Sequence, residues 1–368
     1  MDLDFSPAER EFRAEVRAWL HANVPDPPLP SMDTAEGFAA HRAWEARLAE
    51  ARLSVVSWPE EYGGRGASLI DWLIFEEEYW AAAAPARVTQ NGIFLLAPCL
   101  MRFGTPQQRA RWLPRMATGA DVWAQAWSEP EAGSDLAALT SRAEPVPGGW
   151  RLHGHKTWSS RAAYATHGFG LFRTSGARHK GLSYFMFPLD EVAVRPVAQL
   201  DGLPGFAELH FDGVFTGASM LLGEPGDGWR IAMATTSSER GLTLRSPGRF
   251  LATADRLMAL AAGSGDPAAA DRAARCWAEA EAYRLHTFAT ARRVMAGEEA
   301  GAAASLGKIF WSELDLRMHA LALDLLGDRA GDTPWLDGFL FSLAGPIYAG
   351  TNEIQRGIVA ERVLGLPR

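Results

Sequence analysis

Residues 148–160 read GGWRLHGHKTWSS, and this stretch decides the fold class because the residue composition of the chain changes around it. It mixes aromatic and β-branched residues with Gly, and further runs of the same kind follow within residues 167–215, where Gly, Pro and Asp separate them. Short runs of this composition with regular turn residues are typical of strands in a barrel or sandwich. The sequence therefore predicts a middle β domain over residues 121–222.

Both flanks of this β domain are predicted to be helical. Ser6, Pro7 and Glu9 form a capping box with proline at the first helical position, so a helix begins there. Helical repeats continue through residues 1–120, and residues 223–368 are rich in Ala, Leu and Arg, with breaks near GSGDP and GDRAGDTP. Helices, then strands, then helices indicate an α+β protein of three blocks.

Composition excludes several classes of protein. The formal net charge is −8 over 368 residues, and no cluster of Lys and Arg suggests a nucleic-acid partner. No uncharged apolar stretch reaches 18 residues and the acidic N-terminus lacks a signal-peptide core, so neither a membrane span nor secretion is expected. Cys99 and Cys276 form no paired motif, which favours a reduced cytoplasmic setting.

Four of the five histidines in the predicted β domain raise the question of a metal site. His153 and His155 alternate on a predicted strand, and His167 and His179 follow later. No HxxxH pattern or accompanying carboxylate spacing is present, so the sequence predicts no metal site.

Three stretches in the same order resemble the acyl-CoA dehydrogenase family. They are WAQAWSEPEAGSDLAAL (123–139), LHGHKTWSSRA (152–162) and YAGTNEIQRGIVAERVLGLPR (348–368). The resemblance covers nearly the whole chain. It implies an N-terminal helical domain, a middle β domain and a C-terminal four-helix bundle, with FAD between the last two. Members usually form oligomers, and this flavin site needs no Rossmann GxGxxG motif.

The resemblance also implies roles for particular residues. Around SEPEAGSD and KTWSS it places the flavin contacts, with Trp158 against the ring edge, Ser160 near N5, and Ser134 on the CoA arm. The implied FAD-binding set is Gln125, Trp127, Ser128, Trp158, Ser160, Gly350, Thr351 and Glu353. Plainer alternatives stay open for each stretch: a side-chain turn, a strand with a buried Trp, and capping of the last helix.

The catalytic base is the point where this chain departs from many relatives. In one large part of the family a carboxylate precedes the Gly-Thr of the last loop, and here that position is Ala349. In other members, of the isovaleryl-CoA dehydrogenase type, a Glu-Arg pair on a bundle helix supplies the base, and Glu239 and Arg240 match that pair. The alternative is a surface ion pair. Ala349 keeps the backbone N–H that would bind the thioester oxygen.

Two departures affect the predicted partners. The usual Arg-x-x-Phe-Gly stretch, whose Arg contacts FAD of a neighbouring subunit, is replaced by a sequence containing GSGDP, and the usual Gly-Gly-x-Gly is LLGDRAGD. The resemblance implies an FAD-dependent acyl-CoA dehydrogenase of fatty-acid type, passing electrons to an electron-transfer flavoprotein as a homo- or hetero-oligomer. The alternatives are a non-catalytic or half-site subunit of a heteromer, and a flavin oxidase or monooxygenase on the same fold.

Overall fold

The computed structural model describes residues 4–176, 178–239, 246–298, 301 and 303–367, and side chains for all of these except 237–239 and 303. They pack as two compact units. The helical unit comprises the described residues of Met1–Val24, Ala67–Ala84 and Glu239–Arg368, and the sheet unit comprises Pro25–Gly66 and the described residues of Pro85–Ser238.

Helices occupy both ends of the chain, as the sequence predicts. The α-helices of the described residues are α1 Pro7–Asn23, α2 Ala35–Glu50, α3 Leu69–Ala81, α4 Ala97–Phe103, α5 Pro106–Ala117, α6 Gly228–Glu239, α7 Pro247–Ser264, α8 Pro267–Met295, α9 Ala303–Leu326, α10 Pro334–Ser342 and α11 Asn352–Arg362. The capping box of Ser6 and Glu9 begins α1 as predicted, with both reciprocal hydrogen bonds present.

In the helical unit, three long helices form the centre. The helices α7, α8 and α9 pack on one another, α3 packs on α7 and α8, and α10 and α11 pack on α9. Phe250, Trp311 and Met318 lie in the shared apolar core. Gly248 lets α7 approach the α3 backbone closely, because a Cβ at this position would lie 2.6 Å from the Glu76 carbonyl oxygen.

In the sheet unit, eight strands form one sheet. They are β1 Trp123–Ala126, β2 Arg142–Val146, β3 Gly149–Ser160, β4 His167–Arg173, β5 Leu182–Pro188, β6 Ala193–Val197, β7 Phe206–Gly217 and β8 Leu221–Leu222. The order is β6-β7-β3-β2-β4-β5-β8, with β1 parallel to β4. The predicted β domain is therefore confirmed, between helical segments.

The core of the sheet unit shows that the sheet curls. Phe172 on β4 and Phe187 on β5 each contact Phe211 on β7, with ring centroids 5.1 Å apart, although β7 is not a neighbour of either strand. These rings belong to one buried cluster with Leu152 and Leu209. One face of β3 and β7 thus points into this core and the other points outward.

Candidate active site

The segment KTWSS forms a bulge that turns Trp158 outward. The pairing of β3 with β7 shifts register between Lys156 and Ser159, which leaves Trp158 in the extra position. Its backbone has φ of 59°, uncommon for a bulky residue, and its side chain is 61% exposed. The indole meets Phe206 edge-on with centroids 5.7 Å apart. A strained backbone that presents a large exposed aromatic is a feature of ligand sites.

A buried ion pair lies directly behind this bulge. The Glu129 carboxylate accepts hydrogen bonds from the Lys156 ammonium at 2.9 Å, from the Thr140 N–H and hydroxyl at 2.7 and 2.9 Å, and from the Ser141 N–H at 2.9 Å. Lys156 also donates to the Leu171 carbonyl at 2.8 Å. The pair thus joins β3, β4 and the SEPEAGSD loop at one point.

Burial and charge act in opposite directions on these two groups. Burial lowers the pKa of Lys156 to about 8, although the Glu129 carboxylate opposes this fall. Burial alone would raise the pKa of Glu129, but the Lys156 charge and the Ser141 and Thr140 hydrogen bonds lower it to about 2. Both groups are therefore charged at neutral pH, and neither is exposed to solvent.

The SEPEAGSD loop is held to β3 beside the bulge. The Thr157 N–H donates to the Ser128 carbonyl at 2.9 Å, and Lys156 donates to the Trp127 carbonyl at 3.3 Å. Ser128 is half-buried, as is Gln125 on β1, whereas Ser134 is exposed in the turn. The structure thus brings Trp127 and Ser128 next to the Trp158 bulge.

This surface of the sheet unit fits a flat aromatic group with acceptor atoms. Trp158 offers an exposed indole face, and the buried Trp127 side chain has an N–H without a hydrogen-bond partner among the described residues. Ser160 is half-buried at the end of β3. An exposed aromatic face with polar groups of the neighbouring loop beside it is what an isoalloxazine ring would pack against.

The last loop of the chain is a separate surface on the helical unit. Ala349 and Gly350 both have left-handed backbones, with φ of 58° and 79°. The buried Gln355 amide donates to the Ala349 carbonyl at 2.9 Å and to the Gly350 carbonyl at 3.2 Å. Thr351 caps α11 by accepting from the Ile354 N–H at 3.3 Å, and this cap is compatible with a contact to FAD.

A buried polar cluster holds this loop against α9. The Lys308 ammonium donates to the Asn352 side-chain oxygen at 2.7 Å, and the Ser312 hydroxyl donates to the same oxygen at 3.2 Å. The Asn352 N–H donates to the Pro346 carbonyl at 2.8 Å. Glu353 is exposed, and its own N–H and the Thr351 hydroxyl lower the pKa of its carboxyl. The sequence gives no local signal for Lys308, because its partner Asn352 lies 44 residues away along the chain.

The proposed base is a residue of the helix α6. As far as the structure describes it, this helix spans Gly228–Glu239, so Glu239 lies on α6. The Glu239 side chain and the whole of Arg240 lie outside the described residues.

The segment that replaces Arg-x-x-Phe-Gly is a turn between two helices. Ser264 ends α7, Gly265 has φ of 70°, and Asp266 caps α8 by accepting from the Ala268 N–H at 2.9 Å. A residue with positive φ at the end of one helix and an N-cap Asp at the start of the next are the usual features of a short turn between helices. The break predicted at GSGDP is confirmed, and no guanidinium stands within these turn residues.

The four histidines grouped by sequence lie in separate surroundings, and His153 lies 3.6 Å from the Glu144 carboxylate. His167 stacks on Trp123 with ring centroids 4.7 Å apart, and burial lowers its pKa. His179 contacts Trp229 at 4.4 Å. His155 stacks instead on His210, a residue that the sequence did not single out.

Comparisons with known proteins agree with this architecture. Family models described as the N-terminal, middle and C-terminal domains of acyl-CoA dehydrogenase match residues 6–120, 124–214 and 226–364. Acyl-CoA dehydrogenase IpdE1 of Mycobacterium tuberculosis is 41% identical, over 97% of this chain and 98% of the relative. The chain therefore belongs to the acyl-CoA dehydrogenase family, and FAD is its cofactor.

Two solved structures show the same fold. The Tcur3481-Tcur3483 steroid ACAD is 27% identical with a TM-score of 0.89, and covers all of both chains. The ChsE4-ChsE5 complex from Mycobacterium tuberculosis is 28% identical with a TM-score of 0.84, again over all of both chains. Among the described residues, no helix is both long and apolar enough to cross a bilayer.

Proposed function

We propose that this chain is one subunit of a heteromeric acyl-CoA dehydrogenase that introduces an α,β double bond into a CoA thioester with a bulky, steroid-like acyl group. The observation that carries the proposal is Ala349 at the last loop, where the methyl group leaves the base to Glu239 on α6. The full-length similarity to the steroid ACAD supports the acyl class.

The roles of the residues follow from the chemistry of the step. FAD, when bound, accepts the hydride from the β-carbon. Glu239 takes the α-proton, and the N–H of Ala349 donates to the thioester oxygen as negative charge develops there. Trp158, Trp127 and Ser160 orient the flavin ring. The remaining assignments follow the resemblance: Gln125, Ser128, Gly350, Thr351 and Glu353 bind FAD, and Ser134 and Arg240 hold the CoA arm.

The case for an unlike partner subunit rests on the turn at Ser264–Pro267. A helix turn capped by Asp266 stands where many family members carry a cofactor-binding Arg. Two of the similar structures carry two chain names, Tcur3481-Tcur3483 and ChsE4-ChsE5. A second chain that supplies the missing cation would complete the contact with the FAD phosphates.

Flavin retention tests the heteromer. The chain purified alone is expected to lose most of its FAD during gel filtration, because the cofactor lacks the contacts of the partner. The chain co-expressed with an unlike acyl-CoA dehydrogenase subunit from the same organism is expected to elute with FAD bound. Flavin absorbance against protein absorbance measures both. Full flavin occupancy in the chain alone after dialysis would contradict the heteromer and indicate a homo-oligomer.

Substrate preference tests the acyl class. The flavin-loaded enzyme is expected to reduce its flavin with a steroid-derived CoA thioester at a kcat/KM at least about 10-fold above that with a straight-chain acyl-CoA, since each apolar group that fits the pocket contributes about 1–3 kcal/mol. Anaerobic bleaching of the flavin spectrum measures the rate. Equal or faster reduction by the straight-chain substrate would overturn the steroid-like class and leave the dehydrogenase in place.

The electron acceptor is proposed to be an electron-transfer flavoprotein. Rapid reoxidation of the reduced enzyme by oxygen in place of that acceptor would identify the oxidase or monooxygenase alternative. Absence of bleaching with every CoA thioester would identify a non-catalytic subunit. The cytoplasmic setting stays a prediction.

A further inference from the structure

We propose that His155, Glu208 and His210 form a binding site for one divalent transition-metal ion of the Zn²⁺ class. The site lies on the outward face of the β3–β7 strand pair. It is additional to the proposed function and does not depend on it.

Strand register brings the three side chains together. In the antiparallel pairing of β3 with β7, His155 stands directly opposite His210. Glu208 is two residues from His210 on β7, and residues two apart on a strand point to the same face. The alternate residues of this stretch, Ala207, Leu209 and Phe211, point into the buried core. Two neighbouring strands therefore present two imidazoles and one carboxylate on their outer face.

The spacing of the ligand atoms fits a tetrahedral site. His155 Nε2 lies 3.5 Å and His210 Nε2 lies 3.4 Å from Glu208 Oε2, and the three ligand atoms lie within 4.8 Å of one another. These contacts are longer than the roughly 2.7–3.2 Å of N–H···O hydrogen bonds. Tetrahedral Zn²⁺ with bonds of about 2.0–2.2 Å holds neighbouring ligand atoms about 3.3–3.5 Å apart.

The Nε2 atoms of the two histidines have no other binding partner in the described part of the chain. Both Nε2 atoms are buried and have no hydrogen-bond partner among the described residues. The rings stack with centroids 4.1 Å apart and planes 20° from parallel, so they have to turn from this arrangement before both in-plane lone pairs can meet at one ion. A bound dication would then satisfy both lone pairs and the carboxylate together, and burying those nitrogens unpaired is costly.

The surroundings are of mixed charge. Arg195 on β6 is paired in register with Glu208, and His153 on β3 is paired with Asp212. His153 also lies 3.6 Å from the Glu144 carboxylate. The face therefore carries a cation and two further carboxylates, but among the described residues the triad alone brings three ligand atoms within 4.8 Å of one another.

The ligand set selects the metal. Imidazole nitrogens with one carboxylate suit Zn²⁺ and its transition-metal neighbours, whereas Mg²⁺ and Ca²⁺ take oxygen ligands. Water would complete the coordination, because the three side chains are about one-third exposed, at 34%, 35% and 30% for His155, Glu208 and His210. The ion would join β3 to β7 a few residues before the Trp158 bulge.

The test is calorimetric titration of Zn²⁺ into the FAD-loaded protein after chelator treatment. The parent is expected to bind one Zn²⁺ per chain, and saturating Zn²⁺ is expected to raise its melting temperature. His210→Gln and Glu208→Gln are each expected to weaken binding by about 10-fold or more, since a ligand is worth at least as much as the groups that support it. His153→Gln removes a histidine that lies on β3, like His155, but is not part of the triad. This variant is expected to bind Zn²⁺ as the parent does.

Two further readings complete the test. Mg²⁺ is expected neither to bind nor to compete, and Zn²⁺ affinity is expected to fall as the imidazoles are protonated at lower pH. Circular dichroism and FAD content establish that each variant is folded, and the parent titration decides the matter if a variant is not. The proposal is wrong if the parent shows no saturable Zn²⁺ binding, or if both triad variants bind Zn²⁺ like the parent.

Discussion

Replacing Glu239 with glutamine is expected to slow the reduction of bound flavin by an acyl-CoA roughly 10²–10⁴-fold, the range that a positioned acid–base group contributes. The reason is that the Ala349 methyl group cannot accept a proton, while Glu239 lies on α6 at the position where a Glu-Arg pair supplies the base in part of the family. Glutamine keeps the shape of the side chain and removes only the basic oxygen. Anaerobic stopped-flow absorbance with the flavin-loaded enzyme measures this step directly.

Two variants make the measurement specific. Glu298→Gln removes an exposed carboxylate just beyond α8 and is expected to leave the rate unchanged. Ala349→Glu in the Glu239→Gln background is expected to restore part of the rate, since the family accepts a base from either position. FAD content should match the parent in all variants. Flavin reduction as fast as in the parent would place the base on a partner chain, or show that this chain is not catalytic.

Local signals were enough to predict the helices. The capping box at Ser6 and Glu9 and the stop–start sequence at Gly265, Asp266 and Pro267 depend only on neighbouring residues, and both occur in the structure. Capping chemistry acts within one turn, so a single sequence contains it completely. The three-block order followed from the same local patterns.

Contacts between distant residues could not be predicted in this way. His155 and His210 are 55 positions apart and meet only through the register of β3 with β7, which a bulge before Ser159 shifts. A one-residue change in register would place each side chain on the opposite face. The prediction of no metal site depended on the spacing of residues along the chain. This spacing gives no reason to group His210 with His155.

The bulge and the ion pair behind it show a second limit. The plainer alternative for KTWSS, a strand with a buried Trp, is wrong because Trp158 is exposed, whereas the charged Lys156 is fully buried. The sequence contains a signal for this, because a Lys stands within an aromatic strand and a Glu within a turn. Lys is almost never buried unless it is paired. That rule predicts a partner for Lys156 but not which carboxylate provides it.

The pair itself supports the second large prediction, in which Glu129→Gln is expected to destabilise the protein by about 3–5 kcal/mol at neutral pH, the usual cost of leaving one charge of a buried pair uncompensated. Lys156 would then keep only carbonyl partners. Lys156→Met is expected to cost less, because the Glu129 carboxylate keeps its hydrogen bonds from Thr140 and Ser141. The double variant should lose less stability than the sum of the two single variants.

The pH dependence of the Glu129→Gln effect separates this ion pair from simple packing. Glu129 has a folded pKa of about 2, below its ordinary 4.5, so its stabilisation is present above pH 4.5 and is lost as pH falls towards 2. Burial lowers the pKa of Lys156 to about 8 in the parent although the Glu129 charge raises it, so in Glu129→Gln the lysine loses its proton at a lower pH than in the parent. The stability gap between parent and Glu129→Gln should therefore be widest just above about pH 5, shrink as pH rises towards 8, where the amine becomes neutral in both proteins, and shrink again as pH falls towards 2.

Urea unfolding followed by tryptophan fluorescence across this pH range measures the gap. Glu144→Gln is the matched control, since its carboxylate is half exposed on β2 and pairs with Arg142, and it should change stability much less than Glu129→Gln does. A gap that stays constant with pH would mean that Glu129 contributes only by filling space. Glu129 has three further donors, from Thr140 and Ser141, and Lys156 has only carbonyl partners besides Glu129. If Glu129→Gln and Lys156→Met lose equal stability, the conclusion that the buried ammonium depends more on its partner than the carboxylate does is wrong.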